Sequence, residues 1–124
     1  MTCQPVVIDA RATAADALRL MKAEGIRHLP VMDGTEVKGV LSERDLRTAM
    51  GFQGADTENL RVADICTEHP YITEPDRPLG DVALEMASHH YGCAIVMQHH
   101  KVVGIFTTVD ACRAVHEILH TRYH

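Results

Sequence analysis

The chain has 124 residues, of which 46% are hydrophobic, and its formal net charge is −5. This composition fits one compact domain, and the negative charge, without any run of Lys or Arg, argues against direct binding to a nucleic-acid backbone. No apolar stretch approaches the roughly 20 residues of a membrane span, and the first eight residues lack a signal-peptide pattern, so we expect a cytoplasmic protein.

The first part of the chain predicts a helix, a β-hairpin and a second helix. Apolar residues recur at helical spacing between residues 12 and 23, which predicts an amphipathic helix that Gly25 ends. Two short apolar runs then flank the turn signal Asp33-Gly34, which indicates a hairpin over residues 28–41. Ser42 follows directly and is placed to cap the next helix.

The second part of the chain predicts the same elements again. A polar loop over residues 51–59 and a short helical lead-in, Arg61 to Cys66, come first. The predicted elements that follow are a strand at 71–73, a helix at 79–89, hairpin strands at 93–97 and 102–106, and a helix from Thr108 onward.

The two parts are copies of one another, offset by 65 residues without a gap. This offset pairs the stretch Gly39 to Asp45 with the stretch Gly104 to Asp110. A repeat too small to bury its own apolar face is stable only against a partner, so we expect one module over residues 1–124 with the repeats around a shared cleft. The predicted boundaries are repeat one at 2–50, a linker at 51–60 and repeat two at 61–124.

An ordered set of motifs resembles the paired cystathionine-beta-synthase (CBS) modules, also called Bateman modules. The set comprises Gly-Ile-Arg-His-Leu-Pro-Val at 25–31, the two Gly-x-x-Ser/Thr-x-x-Asp stretches, and Val-Ala-Asp-Ile at 62–65 before His69-Pro70. The resemblance covers essentially the whole chain. It implies an α/β fold of two β-α-β-β-α repeats with pseudo-twofold symmetry and sheets packed face to face, which assembles as a homodimer.

The resemblance also implies a function. It implies a non-catalytic regulatory module that binds an adenosine-containing ligand, such as AMP, ADP, ATP, NADH or S-adenosylmethionine, between the repeats and signals to a separate effector protein. No cofactor is required, since the nucleotide acts as a regulatory ligand. No nucleophile elbow, Gly-rich phosphate loop or metalloprotease helix is present, so we do not expect an enzyme.

The chemistry of the duplicated motif suits such a ligand. A carboxylate can accept hydrogen bonds from both hydroxyls of a ribose, and Asp45 and Asp110 each follow a hydroxyl residue, Ser42 or Thr107, by three positions. On a helix this spacing places hydroxyl and carboxylate on one face. The helix N-terminus adds N–H donors and partial positive charge for a phosphate.

The family resemblance implies two candidate sites, each joining the motif of one repeat to strand segments of the other. The first consists of Ser42, Arg44 and Asp45 with Thr73, Tyr91, Gly92 and Cys93. The second consists of Thr107 and Asp110 with Ile8, Ile26, Arg27 and His28. Arg44 offers the first site a cation for phosphate, whereas Val109 stands at the matching position, so we favour the first site.

Other readings of these residues remain open at this point. The hydroxyl and carboxylate pairs can be helix caps alone, and Arg44 and Arg27 can be solvated arginines in ion pairs. The chain can also be a ligand-free dimerisation or partner-docking module tuned by a metal. The candidate ligands for that metal, spaced every fourth residue, are Cys112, His116, His120 and His124.

Overall fold

The computed structural model describes residues 5–51 and 58–123, so Cys3, most of the predicted loop and His124 lie outside the described residues. The chain divides into two compact units, one formed by Val6–Pro70 and one formed mainly by residues 71–123. Each unit has its own sheet and its own helices. The predicted mixed α/β class, with the elements repeated, is confirmed.

The first unit contains a four-stranded sheet in the order β1-β2-β3-β4. Strand β1 runs parallel to β2, and β3 runs antiparallel to both of its neighbours. The elements of this unit are β1 (Ile8–Asp9), α1 (Ala14–Glu24), β2 (His28–Asp33), β3 (Glu36–Ser42), α2 (Glu43–Met50), α3 (Val62–Ile65) and β4 (Thr67–Glu68).

The second unit repeats this pattern with a three-stranded sheet in the order β5-β6-β7. Both hairpins shift register at the same place, between Val31 and Met32 and between Val96 and Met97. The elements are β5 (Ile72–Thr73), α4 (Leu79–His89), β6 (Cys93–Gln98), β7 (Lys101–Thr107) and α5 (Thr108–Tyr123).

Helix α1 begins at Ala14, two residues later than predicted, because Thr13 is its N-cap. The Thr13 backbone is extended, its hydroxyl accepts the Asp16 N–H at 3.2 Å, and its own N–H donates to the Asp16 carboxylate. These reciprocal bonds satisfy N–H groups that have no partner inside the helix. Helix α1 then ends at Gly25, which has the left-handed φ of 65°.

Helix α3 is the predicted lead-in, and the structure shows that it packs with the first unit. Val62 is fully buried in a core that includes Met21, Leu29 and Leu41. Strand β4 then pairs with β3, so that Gly39 lies opposite Glu68. In sequence this segment leads into the second repeat, but in the fold it completes the core and sheet of the first unit.

The second unit has a smaller core. Its buried cluster consists of Val82, Met86, Ala94 and Phe106.

In the part of the chain that the structure describes, no helix combines the length and apolar character required to cross a bilayer.

Candidate functional site

The N-terminus of helix α2 presents the first of the duplicated motifs. Ser42 is the N-cap: its hydroxyl accepts the Asp45 N–H at 3.0 Å, and its own N–H donates to Asp45 Oδ2 at 3.0 Å. The predicted capping role of Ser42 is therefore confirmed. Among the described residues, Oδ1 of Asp45 has no hydrogen-bond donor, so this carboxylate can still accept a bond from a ligand.

Helix α5 begins in the same way. The Thr107 N–H donates to Asp110 Oδ2 at 2.9 Å, and the Asp110 N–H donates to the Thr107 hydroxyl at 3.2 Å. The Thr107 hydroxyl also lies 3.1 Å from Asp110 Oδ2. Both repeat motifs thus form reciprocal caps, each on the first turn of a helix.

A third pair with the same spacing, Thr13 and Asp16 on α1, was missed in the sequence. Asp16 also accepts a bond from Arg19 at 2.5 Å, and its side chain is exposed. A hydroxyl residue and an aspartate three positions apart can therefore serve as a helix cap alone, without any ligand. What distinguishes Ser42 and Asp45 from this pair must be their surroundings.

Those surroundings form a cleft of about 570 Å³ in the first unit. Its lining consists of Arg27, His28, Ser42, Glu43, Arg44, Arg47 and Thr48. The antiparallel pairing of β2 with β3 brings His28 opposite Ser42, and the Glu43 N–H donates to the Arg27 carbonyl at 2.8 Å. Hairpin geometry therefore places the start of β2 beside the N-terminus of α2 in the same repeat.

The ion pairs in this cleft bear on whether Arg27 and Arg44 are ion-paired or available to a ligand. Glu43 is flanked by two other arginines: Arg27 Nε lies 3.6 Å from one carboxylate oxygen, and Arg47 pairs with the other. Arg44 is exposed and forms no ion pair within the described part of the chain. Arg27 is thus an exposed, ion-paired arginine, as one of the two readings held, whereas Arg44 remains available to an anion.

His28 adds a neutral ring to the cleft. Burial lowers the pKa of His28 below its ordinary value, although the nearby Asp45 carboxylate acts in the opposite direction. The imidazole is therefore uncharged at neutral pH, and the positive charge of the cleft comes from its arginines.

In the second unit, the predicted strand residues have different environments. Thr73 is 5% exposed, and its hydroxyl has no hydrogen-bond partner among the described residues. Tyr91 stacks with Tyr71 and with His89, at ring-centroid distances of 5.1 and 5.3 Å. Cys93 is buried, which raises the pKa of its thiol to about 11.

Asp110 and Thr73 line one groove, of about 440 Å³, in the second unit. The sequence did not predict that Arg77 and Arg113 also line this groove. Arg113 lies one turn after Asp110 on α5, a spacing that the sequence shows, whereas only the folded chain brings Arg77 to Asp110. Gly92 lies beside the N-terminus of α5, since the Thr108 N–H donates to its carbonyl at 3.2 Å.

The structure thus groups the predicted residues within each repeat. Ser42 and Arg44 lie with Arg27 and His28 in the first unit, and Asp110 lies with Thr73 in the second. Ile8 is buried in the core of the first unit, and Ile26 packs against that core. The pairing of each motif with strand segments of the other repeat stays a prediction.

The candidate metal ligands on α5 are exposed. The rings of His116 and His120 stack with centroids 5.9 Å apart, one turn after Cys112. Among residues 5–51 and 58–123, no group of three or more His, Cys, Asp or Glu side chains is arranged to hold a metal ion. His124 lies outside the described residues.

Comparison with solved structures supports the fold. The structure resembles that of a Vibrio cholerae protein provisionally assigned to acetoin utilization (AcuB), with a TM-score of 0.82, 28% identity, and coverage of 98% of this chain and 90% of that one. It also resembles the CBS domain pair of protein MJ0100 in complex with 5′-methylthioadenosine and S-adenosyl-L-methionine, with a TM-score of 0.83 and 22% identity. That match covers 95% of this chain and 93% of the other.

Comparison of sequences gives the family. The chain is 26% identical over 110 residues to the CBS domain-containing protein YhcV of Bacillus subtilis, covering 89% of this chain and 78% of that protein. Several relatives with enzyme names are matched over only 12% to 23% of their length. The profile of the CBS domain matches twice, at residues 1–51 and 62–117. The chain therefore belongs to the CBS domain family and contains a pair of CBS repeats.

Proposed function

We propose that this CBS pair is a non-catalytic regulatory module that binds an adenine nucleotide of the AMP, ADP or ATP class and signals to a partner protein. The observation that carries the proposal is the cleft at the N-terminus of α2. Arg44 lines this cleft and forms no ion pair in the described part of the chain, and the residue after it is Asp45, a capping carboxylate whose Oδ1 has no donor among the described residues.

The two ends of a nucleotide call for different groups. The arginines that line the cleft suit a phosphate, and Asp45, on the same first turn of α2 but not among the lining residues, has a carboxylate. Oδ1 of Asp45 can accept a hydrogen bond from a ribose hydroxyl while Oδ2 continues to cap the helix. The Arg44 guanidinium suits a phosphate, whereas the N–H groups of Ser42, Glu43 and Asp45 already donate within the protein. Arg47 can add to the positive charge, although Glu43 already neutralises part of it.

The charge of the cleft bears on which ligand is bound. A protein with this fold, MJ0100, is seen with methylthioadenosine and S-adenosylmethionine, neither of which carries a phosphate. Three arginines line the cleft here, and one of them forms no ion pair among the described residues. This favours a phosphate-bearing ligand, because guanidinium groups bind phosphate through charge-assisted hydrogen bonds.

The test is a titration calorimetry panel of AMP, ADP, ATP, methylthioadenosine, S-adenosylmethionine and GMP. We expect an adenine nucleotide to bind, and Asp45→Asn and Arg44→Gln to weaken binding by roughly tenfold or more. Asp16→Asn is the matched control, because it changes the same kind of capping carboxylate on a helix without this cleft. Asparagine retains an oxygen for the cap and Arg44 is exposed, so all three variants should fold.

Two results would refute the proposal. One is the absence of binding by every ligand of the panel. The other is an equal loss of affinity in Asp16→Asn and Asp45→Asn, because the effect would then come from the helix cap and not from contact with the ligand.

An alternative function is ligand-free homodimerisation or partner docking, and one observation favours it. Helix α5 exposes Val115, Ile118 and Leu119, each at least 50% accessible. Such a row of apolar side chains on one helix is typical of an association surface. If this surface is the whole function, Ile118→Glu should convert a dimer to a monomer in sedimentation experiments, and the nucleotide panel should show no binding.

A further inference from the structure

Among the described residues that line the cleft at the N-terminus of α2, Glu43 is the only acidic one. Three arginines line the same cleft, and Glu43 forms ion pairs with two of them, Arg27 and Arg47. The Glu43 side chain is only 30% exposed, whereas those of Arg27 and Arg47 are 82% and 78% exposed. The carboxylate is therefore the more enclosed member of both ion pairs.

The fold of the first repeat holds Glu43 at this place. Glu43 is the first residue of α2, and its N–H donates to the Arg27 carbonyl at 2.8 Å. Arg47 follows by four positions on the same helix, so its side chain and that of Glu43 lie on one face. The helix and the hairpin thus bring the two arginines to Glu43 without the help of a ligand.

These ion pairs determine which arginines a ligand meets unoccupied. A carboxylate and a phosphate compete for the same guanidinium donors, because both accept charge-assisted hydrogen bonds. Arg44 lines the cleft, forms no ion pair among the described residues, and can bind one phosphate group directly. A second phosphate group would have to displace Glu43 from Arg27 or Arg47 and would then lie close to its carboxylate. Like charges repel more strongly in a partly enclosed cleft than in bulk water.

We propose that Glu43 is a specificity-determining residue that restricts the cleft to ligands with a single phosphate group. This inference rests on the proposed function and narrows its ligand class to a nucleoside monophosphate. Glu43 occupies the place beside Arg27 and Arg47 that a second phosphate group would take, so it acts against ADP and ATP. Removal of its charge should admit longer phosphate chains without weakening the binding of one phosphate group.

The test compares AMP with ADP on the full chain and on its Glu43→Gln variant, by titration calorimetry without divalent cations. We expect the wild-type chain to bind AMP more tightly than ADP. Glu43→Gln should tighten ADP binding by roughly tenfold and change AMP binding by less than about threefold. The gain should shrink at high ionic strength, because salt screens the repulsion. Loss of ion pairs with exposed arginines costs little stability, so the variant should fold.

Glu36→Gln is the matched control, because it removes the same charge far from the cleft. Glu36 is exposed and begins β3, whereas Ser42 ends that strand beside the cleft. The seven residues of β3 span about 20 Å, well beyond the Debye length of about 8 Å at physiological salt. Both affinities should therefore stay unchanged. In the Glu43→Gln background, Arg47→Gln should remove most of the gain for ADP, because the second phosphate group then lacks this guanidinium.

Inorganic pyrophosphate separates failure of this inference from failure of the proposed function. It has two phosphate groups and no adenosine, and Glu43→Gln should bind it roughly tenfold more tightly than the wild-type chain does. If no nucleotide binds, the proposed function fails, and pyrophosphate still reports whether Glu43 limits the number of phosphate groups.

Four results would overturn the role of Glu43. They are equal affinity for pyrophosphate in the two proteins or no binding by either, ADP binding to the wild-type chain as tightly as AMP, an equal gain in Glu36→Gln, and a loss of ADP affinity in Glu43→Gln. The last result would show that Glu43 positions Arg27 and Arg47 for the ligand instead of competing with it.

Discussion

Substitution of Gly39 by alanine tests how the first unit is assembled. A methyl group on Gly39 would lie 2.9 Å from Cys66 Sγ and 3.1 Å from the carbonyl carbon of Thr67, and closer still to the Thr67 oxygen. Two of these atoms are backbone and cannot rotate away. Strand β4 must therefore move from β3, which breaks the pairing of Gly39 with Glu68 and pulls on helix α3.

The size of the effect follows from what is displaced. Forcing a methyl group into packed atoms costs typically 1–3 kcal/mol. If β4 withdraws instead, the burial of Val62, worth about 1.5–3 kcal/mol, is partly lost. We expect Gly39→Ala to lower the free energy of unfolding by about 3 kcal/mol, which lowers the melting temperature by roughly 10 °C for a chain of this size.

Circular dichroism with thermal and urea unfolding measures this loss. Gly80→Ala is the matched control: a methyl group there meets no atom within 4 Å, so in helix α4 it should stabilise the protein by about 0.5 kcal/mol. Cys66→Ala in the Gly39→Ala background should restore only part of the loss, since the Thr67 backbone still obstructs the methyl group. A neutral Gly39→Ala variant, or full rescue by Cys66→Ala, would refute the reasoning.

Two further predictions concern single side chains. His90 ends helix α4 with a left-handed φ of 58°, and its counterpart in the first repeat is Gly25. Glycine adopts this conformation without strain, so His90→Gly should raise the free energy of unfolding by about 0.5–1 kcal/mol. A loss of stability in urea unfolding would instead show that the imidazole makes a stabilising contact that outweighs the strain. Cys112 is exposed, whereas burial raises the pKa of Cys93 to about 11, so iodoacetamide at pH 8 should alkylate Cys112 much faster than Cys93 in the native protein. Mass spectrometry of the peptides measures both rates, which should converge in urea; equal rates in the native protein would contradict the burial of Cys93.

Prediction of the elements from sequence succeeded where the signal is local. Helical spacing of apolar residues and a closing glycine located α1, although its first residue was placed two positions early because the cap at Thr13 was overlooked. The turn between β6 and β7 consists of His99 and His100, both with positive φ, a conformation that histidine adopts more readily than most residues. Strand β4 was missed because its two residues, Thr67 and Glu68, are both exposed and show no alternation.

The candidate site was predicted in part for the same reason. Ser42 and Asp45 were identified because a cap involves residues three positions apart, a distance that a sequence displays directly. Of the two partners of Glu43, Arg47 lies four residues later on the same helix, a spacing that the sequence shows, whereas the contact with Arg27 depends on how the β2–β3 hairpin meets the start of α2. In the structure, Glu43 pairs with Arg27 and Arg47, and neither of its carboxylate oxygens pairs with Arg44.

The sequence by itself determined that this protein is a duplicated α/β chain of the CBS family, with a capping hydroxyl and carboxylate at the start of a helix in each repeat. Only the tertiary structure decided that residues 60–65 cover the core of the first unit and that Arg77 lines one groove with Asp110 in the second. Repeat patterns record which residues face a core, because local periodicity sets the face. They do not record which segment covers that face, because the covering contacts join residues far apart in the chain.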